Sequence, residues 1–157
     1  MSGGKGGESG GLNLSAFLPY RLSIASNAVS DLIAREYQSR FGLRIPEWRV
    51  MAVLGQCEGC TQSALVAATR MDKVTVNRAV KVLADRQLID RQPHRRDGRS
   101  HDLALSTAGR ALYREIAPAA MDMEQRLCAV FSDGEKRELE SLLDRLRVQA
   151  DLIAGGK

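Results

Sequence analysis

The stretch DKVTVNRAVKVL (residues 72–83), followed a few residues later by RRDGR (residues 95–99), carries most of the information in this sequence. Between Lys73 and Ser100 there are eight Lys or Arg and three Asp, a local excess of +5, whereas the whole chain of 157 residues carries only +4. Folding does not require positive charge to be concentrated in this way, but a surface that binds phosphates does. We therefore predict that this segment binds double-stranded DNA.

The helix predicted from residue 73 onward has two different faces. At about 100° per residue, one face is apolar and can pack on the preceding helices: Val76, Ala79, Val80 and Leu83. The opposite face offers Arg78 as a bidentate donor and Asn77 as an amide able to read adenine. We predict five DNA contacts in this helix: Lys73, Thr75, Asn77, Arg78 and Lys81. An ordinary solvated helix has the same pattern, so the helix alone leaves that alternative open.

The turn-forming pair Asp97-Gly98 predicts a β-hairpin between residues 89–94 and 102–105. Three Arg lie within five residues at its tip, where they repel one another and contribute nothing to folding. Their presence is explained if a DNA backbone or a narrow minor groove receives them. The predicted contacts here are Arg95, Arg96, Asp97 and Arg99. The alternative is a helical ligand-binding or scaffold protein whose basic hairpin meets an acidic partner.

Apolar periodicity predicts helices on both sides of this segment. Three helices are expected before it. The first covers residues 17–41 and is ended by Gly42. The second covers 47–54, begins after Pro46 and is interrupted by Gly55, and the third covers 62–69 and is capped by Thr61. After it, a helix runs from Ser106 or Thr107 to about Val130, with a kink or break at Pro118, and Ser132 to Glu135 form the cap signal of a last helix.

These elements predict a mainly α fold, a winged helix-turn-helix with long N- and C-terminal dimerisation helices. Residues 1–13 form a disordered Gly-rich tail, residues 45–105 the DNA-binding lobe, and residues 14–44 and 106–154 the dimerisation helices. The leucine-rich stripes of the first and last helices are too long for a small core to cover, which favours a homodimer on a palindromic operator. The longest apolar runs are far too short for a membrane span, no signal peptide is recognisable, and we expect a cytoplasmic protein.

Several motifs resemble the MarR (multiple-antibiotic-resistance regulator) family of winged-helix repressors: residues 48–54, 72–83, 90–91, 97–99 and 103–109. Asp-x-Arg at the wing, followed by Leu-x-Leu-[Ser/Thr]-x-x-Gly, is the most specific part. The resemblance implies that the fourth helix enters the major groove, that Asp97 braces the wing, and that Arg99 reaches the minor groove. It also implies that the first and last helices interlock two subunits. Asn77 stands where many relatives carry Thr or Ser, so its base preference cannot be taken from them.

Residues 20–27 and 45–49 resemble the subgroup that controls the breakdown of aromatic acids or their CoA thioesters. This resemblance implies a repressor that is released by a small aromatic effector. Arg21 or Arg49 could pair with a carboxylate, and Asn27 or Ser23 could hydrogen-bond a phenol. Trp48 is a further candidate for the pocket. Trp48 as core and Arg49 as an ion-pair partner are the alternatives.

Cys57-Glu58-Gly59-Cys60 is a C-x-x-C motif between two predicted helices, which leaves structural, redox and metal interpretations open. The setting is not thioredoxin-like, and peroxide-sensing members of the family carry a Cys near the start of the first helix, where this chain has none. A zinc site needs four ligands, and Cys128, His94 and His101 lie on distant elements. The sequence also has no phosphate-binding glycine loop and no persuasive nucleophile–His arrangement. We expect no metal, no cofactor and no enzymatic activity.

Overall fold

The structure is a computed structural model that describes residues 11–93 and 101–155. The described residues form six helices and one antiparallel two-stranded sheet. In chain order these are α1 (Leu18–Phe41), α2 (Ile45–Gln56), α3 (Gln62–Thr69), α4 (Lys73–Asp85), β1 (Ile89–Pro93), β2 (His101–Leu105), α5 (Thr107–Cys128) and α6 (Asp133–Gly155). The predicted mainly α, winged helix-turn-helix fold is confirmed.

The chain divides into two compact units, one ending at Arg110 and one beginning at Ala111. The first contains α1 to α4, the hairpin and the start of α5. The second contains the rest of α5 and α6. Among the described helices, none is both long and apolar enough to cross a membrane.

The core of the first unit is built by α2, α3, α4 and the sheet. Its completely buried side chains include Val50, Met51 and Leu54 from α2, Leu65 from α3, and Val76 and Leu83 from α4. Leu103 and Leu105 on β2 are 3% and 4% exposed and add the sheet to the same unit. Full burial of each such side chain stabilises the folded state by about 1.5–3 kcal/mol.

An aromatic cluster joins α1 to the start of α2. The ring of Tyr37, which is 2% exposed, packs edge-to-face on Trp48 at 5.2 Å and on Phe41 at 6.2 Å between centroids. Burial, with Glu36 as a second cause, raises the pKa of the Tyr37 hydroxyl above its ordinary value. Gly42 then ends α1 in the left-handed conformation (φ 62°), as the sequence predicted.

The hairpin formed by β1 and β2 is hydrogen-bonded to the loop before α3. In the sheet, Ile89 pairs with Leu105. The loop before α3 adds one more bridge, because Cys60 and Leu103 exchange backbone hydrogen bonds of 2.9 and 2.8 Å. The α2–α3 connection is therefore part of the same small sheet as the wing strands.

Ser106 and Gly109, from the Leu-x-Leu-Ser-x-x-Gly motif, fix the start of α5. The Ser106 Oγ donates to the Gln87 carbonyl at 2.7 Å and accepts from the Gly109 N–H at 3.0 Å, which caps the helix. A Cβ atom at Gly109 would lie only 1.9 Å from the Leu88 carbonyl oxygen. Only glycine permits this close approach, which gives that position of the motif a physical reason.

In the second unit, α6 begins with the predicted capping box. The Ser132 N–H donates to Glu135 Oε2 at 2.8 Å, and the Glu135 N–H donates to Ser132 Oγ at 3.3 Å. An ion pair of 2.7 Å between Lys136 and Glu124 links α6 to α5. Along α6 a row of large apolar side chains is exposed on one side of the helix: Leu139, Leu142, Leu143, Leu146 and Ile153. Val148 and Leu152 are exposed on the other side.

Two helix predictions differ from the structure. The predicted interruption of α2 at Gly55 is wrong, since the helix continues to Gln56. Its buried Leu54 keeps the last turn against the core, which outweighs the helix cost of glycine of about 1 kcal/mol. Of the kink or break predicted at Pro118, the break does not occur, because α5 is continuous from Thr107 to Cys128. The neighbouring Ile116 is completely buried, and such packing overrides the local preference of proline.

Candidate nucleic-acid interface

The first turn of α4 is held by its N-cap, Asp72. The Asp72 carboxylate accepts from the Thr75 N–H at 2.8 Å and from the Thr75 hydroxyl at 2.5 Å. These hydrogen bonds, the side-chain one first, hold the pKa of Asp72 below its ordinary value of 3.8. The hydroxyl of Thr75, one of the five DNA contacts predicted in this helix, is therefore already donated to the cap.

The two faces of α4 lie as the sequence predicted. Val76, Ala79, Val80 and Leu83 are buried, and α4 contacts both α2 and α3. The opposite face is exposed and carries Lys73, Val74, Asn77, Arg78 and Lys81. Packing of the apolar face fixes the rotation of the helix about its axis, so the cationic face points outward as a set.

A cleft of about 450 Å³ separates α3 from α4 on this exposed side. It is lined by Gln62, Ser63 and Val66 of α3 and by Lys73 and Asn77 of α4. Across it, Nε2 of Gln62 donates a hydrogen bond to Oδ1 of Asn77. Sequence reasoning missed Gln62; the available signal was its place directly after the N-cap Thr61, at the start of the helix before α4.

A second cleft of about 290 Å³ lies between the start of α3 and the hairpin. Arg91 of β1 and His101 of β2 line it together with Thr61, Gln62 and Ser63. Unpaired backbone N–H groups at a helix start and nearby cations both favour phosphate oxygens. The basic surface therefore extends from α4 past α3 to the strands that lead to the wing.

The predicted wing contacts Arg95, Arg96, Asp97 and Arg99 lie outside the described residues. They belong to the segment of the chain between β1 and β2. Their proposed contacts with DNA remain predictions from the sequence.

Arg86 belongs to the basic segment but has a structural role. Its guanidinium donates to the carbonyls of Gly42 at 3.0 Å and Phe41 at 3.2 Å, at the end of α1. It thereby satisfies carbonyls that a helix end leaves unpaired. One of the eight positive charges of the segment thus ties α1 to the end of α4.

The predicted effector residues lie on α1 and α2. Arg21, Ser23 and Asn27 are exposed on the first half of α1, Arg49 is exposed on α2, and Trp48 is half-buried against Tyr37. None of these five lines either of the two clefts described above. A shallow, mainly apolar cleft of about 640 Å³ lies nearby, bordered by Ala34, Arg35, Gln38, Ser39, Arg44 and Ile45.

Cys57 and Cys60 are joined by a disulfide in the loop between α2 and α3. Cys128 on α5 is a half-buried free thiol. Over the part of the chain that the structure describes, no cluster of three or more His, Cys, Asp or Glu is placed to hold a metal ion.

Helix α4 buries one apolar face and exposes a cationic one, and it lies between α2 and α3 on one side in sequence and a hairpin on the other. This arrangement defines a winged helix-turn-helix DNA-binding protein. The MarR family model matches residues 41–100. A MarR/EmrR family transcriptional regulator from Acinetobacter sp. ADP1 superimposes with a TM-score of 0.83 at 27% identity, over 89% of this chain and 99% of that one. A probable transcriptional regulator from Pseudomonas aeruginosa gives 0.75 at 32% identity, over 85% and 99%.

Among curated proteins, a putative transcriptional regulatory protein for the hcr operon of Thauera aromatica is 28% identical over 129 residues, 82% of this chain and 78% of that protein. The chain belongs to the MarR family of winged-helix transcriptional regulators. Its family and relatives are regulators of transcription and not enzymes.

Proposed function

We propose that this chain is a cytoplasmic, homodimeric repressor that binds palindromic promoter DNA and is released by a small aromatic acid or its CoA thioester. The observation that carries the DNA-binding part is the exposed face of α4, with Lys73, Asn77, Arg78 and Lys81 opposite a buried apolar face. In this arrangement Asn77 and Arg78 read base edges, while Lys73 and Lys81 bind phosphates. The wing residues Arg95, Arg96 and Arg99 extend the contact to the neighbouring groove.

The homodimer is proposed because each unit exposes apolar helix surface. In the first unit Leu18, Leu22 and Ile24 of α1 are 63%, 39% and 49% exposed. In the second unit the exposed leucines of α6 form a similar surface. Leu18 and Leu22 share one side of α1, and exposed apolar side chains that share one side of a helix mark an interaction site. Residues 14–44 and 106–154 would then form the dimer interface, and the two α4 helices would lie roughly 34 Å apart, one DNA turn.

The effector proposal rests on the resemblance of residues 20–27 and 45–49 and on the chemistry available near them. Arg21 and Arg49 are exposed cations that can pair with a carboxylate, and Ser23 and Asn27 can hydrogen-bond a phenol. An effector releases the repressor if it binds more tightly to a dimer whose recognition helices are wrongly spaced. A thermal-shift screen with aromatic acids and their CoA thioesters tests this, because a ligand that binds only the folded state raises Tm.

Titration of the purified protein with DNA from upstream of its own coding region tests the DNA-binding proposal. We expect the affinity to fall steeply as the salt concentration rises. Unlabelled operator DNA should displace the bound DNA, whereas unrelated DNA should not. No binding to this DNA, or binding without sequence preference, would support the alternative, a helical protein whose basic surface meets an acidic partner.

A second candidate function is thiol-responsive DNA binding, which the position of the disulfide favours. Cys60 is hydrogen-bonded to Leu103 of the wing strand, so a change at its sulfur acts on the loop that enters the sheet. Hydrogen peroxide would oxidise the two thiols of Cys57 and Cys60 to the disulfide and would itself be reduced to two molecules of water.

Operator affinity of the reduced and the oxidised protein tests this candidate. In the parent and in Cys128→Ser, we expect the reduced and the oxidised protein to differ in operator affinity. In the variant with both Cys57→Ser and Cys60→Ser, we expect the two treatments to give the same affinity. Equal affinities in the parent would remove the thiol candidate and leave the effector proposal in place.

A further inference from the structure

The α3–α4 cleft contains a contact that simple amphipathic packing does not require. Nε2 of Gln62 donates to Oδ1 of Asn77, a residue 15 positions later on the exposed face of α4. We propose that Gln62 is a positioning residue that sets the base preference of Asn77, which then presents its amide N–H groups and selects guanine over adenine. This inference rests on the proposed DNA-binding function and names a specificity determinant outside the recognition helix.

The backbone around Gln62 is held from two sides. Directly before it, Thr61 caps α3, with its Oγ1 accepting from the Ala64 N–H at 3.2 Å. One residue earlier, Cys60 is paired to Leu103 by hydrogen bonds of 2.9 and 2.8 Å. The Gln62 side chain therefore starts from a fixed point, and less conformational entropy is lost when it holds Asn77.

Asn77 is equally well placed on its own helix. Its neighbour Val76 is completely buried, and one turn further along Val80 is 1% exposed. These two anchors fix the direction in which the Asn77 side chain leaves α4. The rotation of its terminal amide is the freedom that remains, and in this structure the hydrogen bond from Gln62 turns the amide oxygen toward α3.

The chemistry of the amide then determines the base. To read adenine in the major groove, an Asn side chain accepts from N6–H through its oxygen and donates to N7 through its nitrogen. In this structure the Asn77 oxygen already accepts from Gln62. The nitrogen retains two donors, and the edge of guanine offers two acceptors, N7 and O6. The oxygen has a second lone pair, so one hydrogen bond does not by itself prevent it from accepting adenine N6–H. The guanine preference that we propose follows from orientation: the oxygen is turned toward Gln62, which leaves the amide nitrogen to meet the base.

The contact contributes little to folding, because Gln62 is half-buried, Asn77 is exposed, and water competes for the same groups. Its main consequence is the orientation of a side chain that faces DNA. A purely structural pair would affect stability and leave base preference unchanged, so base preference is the decisive readout.

The experiment uses the full chain and a random pool of double-stranded DNA, from which the parent protein selects its operator. Dissociation constants are then measured by fluorescence anisotropy at one salt concentration for every single base-pair change in the operator. The Asn77→Ala variant identifies the base pair that Asn77 reads, as the position where discrimination is lost. At that pair we expect the parent to prefer guanine over adenine by about tenfold.

Two substitutions of Gln62 test its role. In Gln62→Ala the preference at this base pair falls toward one, while the other positions are unchanged. In Gln62→Glu the new carboxylate can only accept, so it turns the Asn77 amide over and presents its oxygen to the base. Preference then moves to a base with an exocyclic amino group, adenine or cytosine. Val66→Ala, in the same cleft but outside the hydrogen bond, is the matched control and keeps the guanine preference.

Three results overturn the inference. The first is a parent preference for adenine at the Asn77 base pair, and the second is an unchanged preference in Gln62→Ala. If Gln62→Ala does not fold, as judged by its thermal melting curve, Gln62→Glu takes its place. An unchanged base preference in Gln62→Glu then overturns the inference. The third is a parent that selects no sequence at all, which overturns the proposed DNA-binding function together with this inference; the first two leave that function standing.

Discussion

At the scale of single residues, the positions with the clearest physical reasons are those that start helices. Asp72 and Ser106 cap α4 and α5, and each positions an element of the DNA-binding surface. Gly109 has no side chain, and this allows the first turn of α5 to lie against the Leu88 carbonyl. These residues contact no DNA in our proposal, yet the geometry of the interface depends on them.

Replacement of Gly109 by Ala tests this close approach. The added Cβ would lie 1.9 Å from the Leu88 oxygen, and the backbone cannot yield without loss of the 3.1 Å hydrogen bond from the Ser106 N–H to that oxygen. We expect the free energy of unfolding to fall by about 2–3 kcal/mol, as in overpacked cores. Urea denaturation measures it. Gly134→Ala is the control, since its nearest contact is an ordinary 3.9 Å, and an equal loss in both variants would contradict the steric explanation.

The Asp72 cap predicts a pH dependence of stability. Its pKa is lower in the folded state than its ordinary value of 3.8, so its contribution is present above pH 3.8 and is lost as the pH falls through the folded pKa. The stability advantage of the parent over Asp72→Asn should therefore be constant near neutrality and shrink below pH 3.8. Denaturant unfolding at a series of pH values gives this difference, and a difference independent of pH would argue against the cap.

At the scale of elements, α4 combines two roles on its opposite faces, and its arginines separate them. Arg78 lies on the exposed face, whereas Arg86 donates to carbonyls at the end of α1. The same residue type therefore serves DNA binding within α4, at Arg78, and structure directly after its end, at Arg86.

The pair of variants Arg78→Ala and Arg86→Ala checks this division. Arg78→Ala should weaken operator binding by about 1–3 kcal/mol and relax discrimination at one base step, with stability unchanged. Arg86→Ala should lower the free energy of unfolding by about 1 kcal/mol, the usual value of a lost hydrogen bond, and leave the affinity of the folded protein close to that of the parent. Anisotropy titration and urea unfolding of both variants are required; the reverse pattern would refute the assignment.

At the scale of the whole molecule, the exposed apolar rows of α1 and α6 are the main feature that a monomer does not explain. Leu143 and Leu146 are 44% and 42% exposed in the second unit. A second copy of the chain would cover such rows and bring two recognition helices to one operator.

Introducing charge into this row should dissociate the dimer. We expect the double variant Leu143→Glu and Leu146→Glu to sediment as a monomer and to lose most of its operator affinity, because each half-site then binds alone. The double variant Ser141→Glu and Val148→Glu adds the same two negative charges on the opposite side of α6 and should remain dimeric. If sedimentation velocity shows the double variant still dimeric with full affinity, residues 106–154 do not form the interface.

The sequence by itself determined the order of the elements, the two faces of α4 and the caps, since these follow from periodicity and local hydrogen bonding. The predicted caps Thr61 and Ser132 each accept the expected backbone hydrogen bond, and Gly42 ends α1 with a positive φ. Such features depend on residues within about four positions of one another, so a single stretch of sequence contains the information.

Only the tertiary structure decided the contacts between residues distant along the chain. Gln62 meets Asn77, Arg86 meets the end of α1, and Cys60 joins the wing strand, and no local pattern indicates any of these. Tertiary packing also overrode the breaks expected at Gly55 and Pro118. The physical reason is the same throughout. Burial of the apolar faces brings separate elements together, and polar side chains at the edges of these faces then bond to residues that are distant in the sequence.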